Sequence, residues 1–285
     1  MLAQQRQQTI VDLVRQDGAV RVSELVRRFG VSDMTIRRDL ELLADRGLVV
    51  KVHGGATAPG PGSTEEPGFL AKSVVQRREK EAIAHGAAAM VRPGMAIALS
   101  AGTTTWTLAH RLIHTPDLTI VTNSLRVADV FHRLGRSDQT VVLTGGVRTP
   151  SDALVGPVAV TTVRSLNVDL LMLGVHGMSA HAGFTTPNLM EAETNRALVA
   201  AAGRLVVLAD ATKWGIVGIS TIARLDDADA LITDSALDPS ARRILADRVG
   251  ELIVTEPHAA ADAAEVAEAA TPPRAEAGSG PAKTP

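Results

Sequence analysis

Residues 31–40, VSDMTIRRDL, decide how the first part of the chain folds. Ile36, Leu40 and Leu43 follow one another at helical spacing, so the sequence predicts a helix that buries these three side chains on one stripe. Ser32 precedes this helix and is a favoured N-cap residue. The face left for solvent or a partner carries Thr35, Arg37, Arg38 and Glu41. Two adjacent arginines on such a face indicate either a surface that meets an anion or a solvated face whose cations pair with neighbouring carboxylates.

Two further helices precede this one. Residues 10–14 give the apolar face of a first helix that ends at Gly18, and Ser23 is expected to cap a second helix, ELVRRF, that ends at Gly30. The third helix is expected to run to Arg46. Because only a tight turn fits between the second and third helices, the segment predicts a helix-turn-helix, whose recognition helix enters the major groove of DNA.

A small hairpin is expected after the third helix. Residues 48–53, LVVKVH, alternate like a strand and end at Gly54-Gly55, and residues 19–22 are expected to pair with them. Such a hairpin is the wing of a winged helix-turn-helix. One arginine of the third helix can then make a bidentate contact to guanine, while the other, about 100° around the helix, reaches a phosphate. The residues predicted to contact DNA are Ser32, Thr35, Arg37, Arg38, Lys51, His53 and Gly54.

The composition is ordinary for a globular protein and excludes several chemistries. Of the 285 residues, 45% are hydrophobic and 21% are charged. No apolar run reaches the roughly 18 residues of a membrane span and the N-terminus has no signal-peptide pattern, so we expect a cytoplasmic protein with no membrane partner. The absence of cysteine excludes disulfides, thiolate zinc sites and thiol nucleophiles. The eight histidines show no metal-binding spacing, so we expect neither a metal nor a cofactor.

The net charge of −2 is divided unevenly along the chain. Residues 1–58 hold nine basic and seven acidic residues, and the rest hold 20 basic and 24 acidic residues. An excess this small does not by itself indicate a nucleic-acid partner, so the placement of the arginines carries that interpretation.

Composition also divides the chain into segments. Residues 59–68, PGPGSTEEPG, offer little to bury, which is typical of a linker. Towards the C-terminus Ala, Glu, Pro and Gly dominate, which is typical of a disordered tail. The predicted layout is a DNA-binding domain at 1–57, a linker at 58–69, a second domain for ligand binding and assembly at 70–256 and a tail at 257–285.

Seven short apolar runs follow the linker, several of them separated by segments of helix length. They lie at 95–99, 118–122, 140–145, 169–175, 204–210, 230–233 and 251–256. This alternation predicts an α/β domain built on a mostly parallel sheet with helices on both faces. Ligands of such sheets bind beyond the carboxyl ends of the strands.

Polar or glycine-rich loops follow four of these runs. Glycine lets the backbone approach a phosphate, threonine hydroxyls and the amides of a helix N-terminus can donate to it, and a lysine supplies a full positive charge. A single GTT before a helix is also compatible with a simple N-cap, and Lys213 is also able to pair with Asp210. Several such loops at adjacent strand ends favour an anion site. The predicted contacts from these loops are Ser100, Gly102, Thr103, Thr104, Asn123, Ser124, Gly145, Gly146 and Lys213.

Both halves of the chain resemble the DeoR family of bacterial transcriptional repressors. Residues 31–56, VSDMTIRRDLELLADRGLVVKVHGGA, match the family's winged helix-turn-helix, with Lys51 where arginine is more frequent. The second half matches the family's sensor domain in KEAIA (80–84), AGTTT (101–105), VTNS (121–124), TGGVR (144–148), LGVHGM (173–178), EAETNRA (191–197), DATKWG (210–215) and ITD (232–234).

The resemblance implies a sensor domain related in fold to ribose-5-phosphate isomerase and glucosamine-6-phosphate deaminase, with a phosphorylated sugar as effector and double-stranded operator DNA as partner. It places Glu191 on the family's sensor glutamate, which would bind sugar hydroxyls, although this acidic run also fits a solvated helix face. Ser100 stands where many members carry aspartate, so the ligand preference is expected to differ.

The favoured interpretation is a repressor of carbohydrate metabolism genes that is not an enzyme. A sugar-phosphate isomerase is the alternative, but isomerases related to this fold keep an acidic cluster that the corresponding loop GVHGM (174–178) lacks. An activator, or a regulator that answers a non-phosphorylated ligand, is a third possibility. We expect a homo-oligomer, either a dimer or a tetramer, because one helix-turn-helix reads too few base pairs for useful specificity.

Overall fold

The computed structural model describes residues 3–17, 19–45, 48–52, 54–57 and 68–257. Most of the predicted linker and tail, namely 58–67 and 258–285, lies outside the described residues, as do Gly18, Arg46, Gly47 and His53. The first four ranges form a small domain of three helices and a three-stranded sheet, and the last range forms an α/β domain.

The small domain contains the three helices that the sequence predicts. Its elements are α1 (Ala3–Asp17), β1 (Ala19–Arg21), α2 (Val22–Phe29), α3 (Asp33–Asp45), β2 (Val50–Val52) and β3 (Gly55–Thr57). The buried stripe of α3 is confirmed, because Ile36, Leu40 and Leu43 are at most 2% exposed and pack in one core with Ile10 and Val14. Among the described residues, the burial of apolar side chains in this core holds the three helices together.

Two local predictions in this domain were wrong. The helix α2 begins at Val22, so Ser23 lies in its first turn and does not cap it. Val22 is buried, and the gain from packing it outweighs a local capping preference. The strand β1 pairs with β3 and not with β2, because β3 lies between them. A Cβ on Gly55 would lie 2.1 Å from the Val20 carbonyl oxygen, so this approach of β3 to β1 requires glycine.

The α/β domain alternates strands and helices along the chain. Its first elements are α4 (Phe69–Ser73), α5 (Arg77–Ala88), β4 (Ala96–Leu99), α6 (Thr103–Leu112), β5 (Thr119–Thr122), α7 (Leu125–Leu134), β6 (Thr140–Leu143), β7 (Val147–Arg148), β8 (Leu154–Val155) and α8 (Pro157–Arg164). The remaining elements are β9 (Leu170–Gly174), β10 (Gly177–Ser179), β11 (Gly183–Thr186), α9 (Leu189–Ala201), β12 (Leu205–Leu208), β13 (Ser220–Ala223), β14 (Ala230–Asp234), α10 (Pro239–Ala246) and β15 (Leu252–Thr255).

The predicted parallel sheet is confirmed. All seven apolar runs form strands of one sheet with the order β15-β14-β12-β9-β4-β5-β6, and every neighbouring pair is parallel. From β4 the chain adds β5 and β6 on one side, and it then returns to β4 to add β9, β12, β14 and β15 on the other side. The strand order therefore reverses between β4 and β9, and the crevice at their carboxyl ends is where such sheets bind ligands.

Helices cover both faces of this sheet. One face packs against α5, α6 and α7 through buried side chains that include Ile83, Leu108 and Phe131. The other face packs against α8, α9, α10 and a small antiparallel sheet of order β10-β11-β13, with Leu198 and Phe184 in its core. That small sheet and the β7–β8 hairpin were not predicted. Among the described residues, none of the helices is long and apolar enough to cross a membrane.

Candidate functional site

The start of α3 is organised as the sequence predicts. The Ser32 hydroxyl accepts a hydrogen bond from the Thr35 backbone N–H (3.2 Å), so its N-cap role is confirmed. The two side-chain oxygens of Ser32 and Thr35 lie 2.9 Å apart, within hydrogen-bond distance. Both hydroxyls therefore stand together at the exposed N-terminal end of α3, the end with which a recognition helix contacts base edges.

The two arginines of α3 are in different electrostatic states. The Arg37 Nε lies 2.5 Å from an Asp33 carboxylate oxygen, and both side chains are more than half exposed. This carboxylate raises the pKa of the Arg37 guanidinium, first through the hydrogen bond and then through its charge. Arg38 is exposed, and no hydrogen bond or ion pair to it is found in the described part of the chain. The expected carboxylate pairing thus applies to Arg37, while Arg38 presents an unneutralised cation.

The residue after the arginine pair anchors α3 to α1, which sequence reasoning did not identify. Asp39 is only 4% exposed and accepts hydrogen bonds from Arg6 Nε (2.6 Å) and from Gln7 Nε2 (2.8 Å). In the sequence alone, nothing distinguishes Asp39, between Arg38 and Leu40, from the residues of the solvated face. Its burial becomes visible only when α1 is placed beside α3.

Of the wing residues predicted to contact DNA, only Gly54 is fully described. Gly54 is exposed in the turn between β2 and β3, with a left-handed φ of 80°. Lys51 lies in β2, although its side chain is outside the described residues, and His53 lies outside them altogether. The contacts of these residues with DNA stay predictions.

In the second domain, the loops after β4 and β9 are joined at the point where the strand order reverses. The Ser100 hydroxyl accepts a hydrogen bond from the Gly174 N–H (2.9 Å), and Ser100 is fully buried. The residue in the aspartate position of the family therefore bridges two strand ends here. Ser100 thus supports the crevice, and its direct contact with a ligand stays a prediction.

The loop after β4 leads directly into α6. Gly102 is the N-cap residue and has no side chain, so the first amides of α6 receive no side-chain cap there. Thr103 and Thr104 are each 7% exposed, and in the part of the chain that the structure describes their hydroxyls have no hydrogen-bond partner. The next threonine, Thr105, differs because its hydroxyl donates to the Gly102 carbonyl (3.0 Å). A helix N-terminus with uncapped amides and two available hydroxyls suits an anion.

Two other residues predicted to contact the ligand also order the loops. Asn123 is fully buried, its Oδ1 accepts from the Ala101 N–H (2.9 Å), and its Nδ2 donates to the Leu154 carbonyl (3.2 Å). Ser124 is 1% exposed and caps α7 by accepting from the Val127 N–H (3.2 Å). Side chains buried and bonded in this way hold the loops after β4 and β5 in place, and a direct contact of either residue with a ligand stays a prediction.

The Gly145-Gly146 pair follows β6 and serves close backbone packing. Both residues have left-handed φ values of 70° and 116°. A Cβ on Gly146 would lie 2.5 Å from the Val155 carbonyl oxygen, so the loop after β6 packs directly against β8. This packing requires glycine at position 146 whether or not a ligand binds nearby.

Lys213 lies at the carboxyl edge, in a short 3₁₀ turn (Ala211–Lys213) after β12. Its ammonium is 4.0 Å from an Asp210 carboxylate oxygen, which is a long ion pair, and a quarter of its side chain is exposed. Asp210 itself is 1% exposed and already accepts a hydrogen bond from the Thr212 N–H (3.1 Å). The expected structural bridge is therefore present only as a loose contact, which leaves the Lys213 ammonium available to an anion.

A second lysine, Lys80, lies beside Lys213 and was not among the residues predicted from the sequence. Lys80 is in the first turn of α5, is 5% exposed, and its pKa is lowered from 10.5 to about 8. Burial is the main cause; the charge of Asp210 opposes it, and the cations Lys213 and Lys72 reinforce it. The sequence did contain a signal, because Lys80 lies on the same helical stripe as buried Ile83, Ala84 and Ala87. A lysine on an apolar stripe is seldom buried without a reason.

The location of Lys80 follows from the topology. Both α5 and α6 lie on the same face of the sheet and pack against each other. Because α5 leads into β4 and α6 follows it, the N-termini of both helices lie at the carboxyl edge of the strands. Neighbouring strands are about 4.8 Å apart, and only β9 lies between β12 and β4. The end of β12, which leads to Lys213, is therefore roughly 10 Å from the end of β4, which leads into α6.

Glu191 occupies the first turn of α9. Its carboxylate accepts a hydrogen bond from the Thr186 hydroxyl (3.0 Å), and its backbone N–H donates to the capping Asn188 side chain (3.1 Å). The side chain is half-buried, so the solvated-face interpretation does not describe it. Within the described residues, no group of three or more His, Asp or Glu side chains is arranged to hold a metal ion.

Comparison with known proteins identifies relatives of both domains. Residues 6–61 match the DeoR-like helix-turn-helix domain, and residues 75–235 match the DeoR C terminal sensor domain. YgbI of Escherichia coli K12, described as an uncharacterized HTH-type transcriptional regulator, is 38% identical over 257 residues, which cover 90% of this chain and 99% of the relative.

Two further relatives carry more specific names. The HTH-type transcriptional regulator GlpR of Haloferax volcanii is 37% identical over 85% of this chain and 94% of its own. The glycerol-3-phosphate regulon repressor of Escherichia coli K12 is 31% identical over 85% of this chain and 95% of its own. Among solved structures, ribose 5-phosphate isomerase A of Methanocaldococcus jannaschii is 16% identical, with a TM-score of 0.35, and covers 47% of this chain and 53% of that one.

Proposed function

Because this chain belongs to the DeoR family of transcriptional regulators, we propose that it represses carbohydrate metabolism genes and leaves its operator when a phosphorylated sugar binds. As a member of this family it is a DNA-binding regulator and not an enzyme. One relative is the glycerol-3-phosphate regulon repressor, which supports both a repressor's role and a phosphorylated effector. The absence of an acidic cluster in the loop after β9 fits a sensor better than an isomerase.

In this proposal α3 enters the major groove of the operator. Its exposed end carries Ser32, Thr35 and Arg37, and Arg38 stands beside them as an unneutralised cation. Arg37, oriented by Asp33, reads a guanine, and Arg38 contacts a phosphate. The protein assembles as a dimer or a tetramer through residues 70–256, so that two recognition helices meet two half-sites.

The effector lies in the crevice at the carboxyl ends of β4, β9 and β12. Its phosphate contacts the Gly102–Thr104 end of α6 and the ammonium of Lys213, with Lys80 adding a second positive charge behind it. The Glu191 carboxylate accepts hydrogen bonds from sugar hydroxyls. The observation that carries this assignment is that Lys80 and Lys213 interact electrostatically at the carboxyl edge of the sheet, the same edge at which α6 begins with an uncapped N-terminus.

Thermal unfolding of the full chain with sugar phosphates and with their unphosphorylated counterparts tests the effector class. A ligand that binds the folded state stabilises it by about 2.7 kcal/mol at a concentration of 100 Kd. We expect one phosphorylated sugar to raise the unfolding temperature of the wild type, and its unphosphorylated form to have no effect.

Lys213→Ala is expected to abolish this stabilisation, and Arg164→Ala serves as the matched control. Arg164 is an exposed cation in the last turn of α8. Because α8 leads towards the start of β9, Arg164 lies at the opposite edge of the sheet from Lys213. Equal stabilisation of the wild type and of Lys213→Ala would remove Lys213 from the phosphate site. Equal stabilisation by phosphorylated and unphosphorylated sugars would overturn the phosphate site itself.

A further inference from the structure

The helix α4 (Phe69–Ser73) is the first described element after the linker, and its two ends contact Trp106 in the first turn of α6 and the buried Lys80. It has only five residues, whereas isolated helices shorter than about 12 residues are marginal in water. Its outward side chains give it little support, since Leu70 is 73% exposed and Val74 just after it is 77% exposed. The position of α4 therefore depends on its two anchored ends.

The first anchor is Phe69. It is 6% exposed, and its ring meets the Trp106 ring edge-on, with the centroids 5.8 Å apart. The Arg126 guanidinium lies 5.1 Å from the centre of the Phe69 ring and is itself held by Asp152 (2.6 Å). Trp106 is in the first turn of α6, the same turn whose N-terminus forms the proposed phosphate contact. A shift of α6 is thus transmitted directly to Phe69.

The second anchor is the ammonium of Lys80. It donates hydrogen bonds to the carbonyls of Lys72 and Val75, at 2.5 Å each, and so satisfies backbone acceptors at and just beyond the end of α4. The same ammonium interacts electrostatically with Asp210 and Lys213 at the end of β12. One charged group thus holds the end of α4 and lies beside the proposed phosphate position.

We propose that α4 is the element through which the effector controls the DNA-binding domain, with Phe69 and Lys80 as its positioning residues. This inference rests on the proposed function. A phosphate bound by Lys213 and α6 draws the Lys80 ammonium towards it and away from the two carbonyls of α4. It also repositions α6 under Trp106. The helix α4, to which the linker is attached, then loses its fixed position, and the DNA-binding domain with it.

The proposal meets the energetic requirement for a switch. A ligand changes operator affinity only if it binds the two arrangements of α4 with different affinity. The effector competes for the charge that fixes α4, so it binds the arrangement with α4 released more tightly. Couplings of this kind change affinity by about 5- to 150-fold.

The test uses the full chain and needs no effector. Operator affinity is measured by fluorescence anisotropy with a duplex selected in vitro by the wild-type protein. Lys80→Met and Phe69→Leu remove one anchor each, so each is expected to bind this operator about 5- to 150-fold more weakly than the wild type. Lys80→Arg keeps the charge and is expected to restore most of the affinity. Arg164→Ala removes an exposed cation at the opposite edge of the sheet and is expected to bind the operator as the wild type does.

Thermal unfolding shows whether each variant is folded, and either anchor variant alone decides the question if the other does not fold. Wild-type operator affinity in a folded Lys80→Met or Phe69→Leu would overturn the proposal. An equal loss of affinity in Arg164→Ala would also overturn it, because the effect would then not be specific to α4. Failure of the proposed function is recognised separately, by the absence of any stabilisation of the wild type by sugar phosphates.

Discussion

The two arginines of α3 are expected to make different contributions to operator binding. Arg37 is held by the Asp33 carboxylate at 2.5 Å, whereas Arg38 is exposed and unneutralised within the described residues. A guanidinium whose charge is largely balanced is a poor phosphate ligand, but its planar fork is oriented for guanine. Arg37→Ala should therefore reduce sequence specificity, and Arg38→Ala should reduce affinity for every DNA sequence.

The expected magnitudes follow from these contacts. Loss of a bidentate arginine–guanine pair costs about 1–3 kcal/mol, or roughly 5- to 150-fold in affinity, for the cognate operator only. Loss of one phosphate contact lowers the slope of log affinity against log salt by about 1. Neither change should unfold the domain, because an exposed ion pair such as Arg37–Asp33 is screened by solvent and contributes little to stability.

The assay is a series of anisotropy titrations of cognate and unrelated duplexes at several salt concentrations. Arg37→Lys keeps the charge without the fork and should behave like Arg37→Ala, while Arg38→Lys should behave like the wild type. The reasoning is refuted if Arg37→Ala weakens all sequences equally and flattens the salt slope. Unchanged affinity in both alanine variants would remove α3 from the DNA interface altogether.

Two further predictions concern buried charges. Asp39→Asn should lower the unfolding free energy of the small domain by about 3–5 kcal/mol in chemical denaturation, because the buried Arg6 loses its carboxylate; a loss below about 1 kcal/mol would contradict a buried pair. The pKa of Lys80 is about 8 in the folded chain and 10.5 ordinarily, so the unfolded chain binds more protons between these values and stability should rise with pH across that window. This rise in the unfolding free energy is worth up to about 3 kcal/mol, at roughly 1.4 kcal/mol per pH unit, and Lys80→Met should abolish it. If Lys80→Met keeps the rise, another group causes it.

The elements that were predicted correctly from the sequence are those with a clear pattern of apolar residues. All seven apolar runs became strands of one sheet, and the stripe of Ile36, Leu40 and Leu43 became the buried face of α3. Prediction failed where a local preference competes with packing, as at Ser23, where burial of Val22 extends the helix. It also failed for short strands such as β7 and β10, which have too few residues to show a period.

Sequence reasoning located the loops of the candidate site but not the partners of their side chains. The strand-end rule placed the loops correctly, because it depends only on the direction of the strands. Whether a polar residue in such a loop faces a ligand or the protein depends on partners far away in sequence, as for Asn123, which binds the carbonyl of Leu154. Lys80 was missed for the same reason, since its partners at the end of α4 and of β12 come together only in the folded domain.

The central claim is that a phosphorylated ligand at Lys213 releases the operator. It is tested most directly by titrating the operator complexes of the wild type and of Lys213→Ala with the sugar phosphate that most stabilises the wild type, and with its unphosphorylated counterpart. We predict that only the phosphorylated compound weakens operator binding of the wild type, by about 5- to 150-fold, and that Lys213→Ala stays bound at the same concentrations. Release of Lys213→Ala at wild-type concentrations, or release of the wild type by the unphosphorylated compound, would contradict the account.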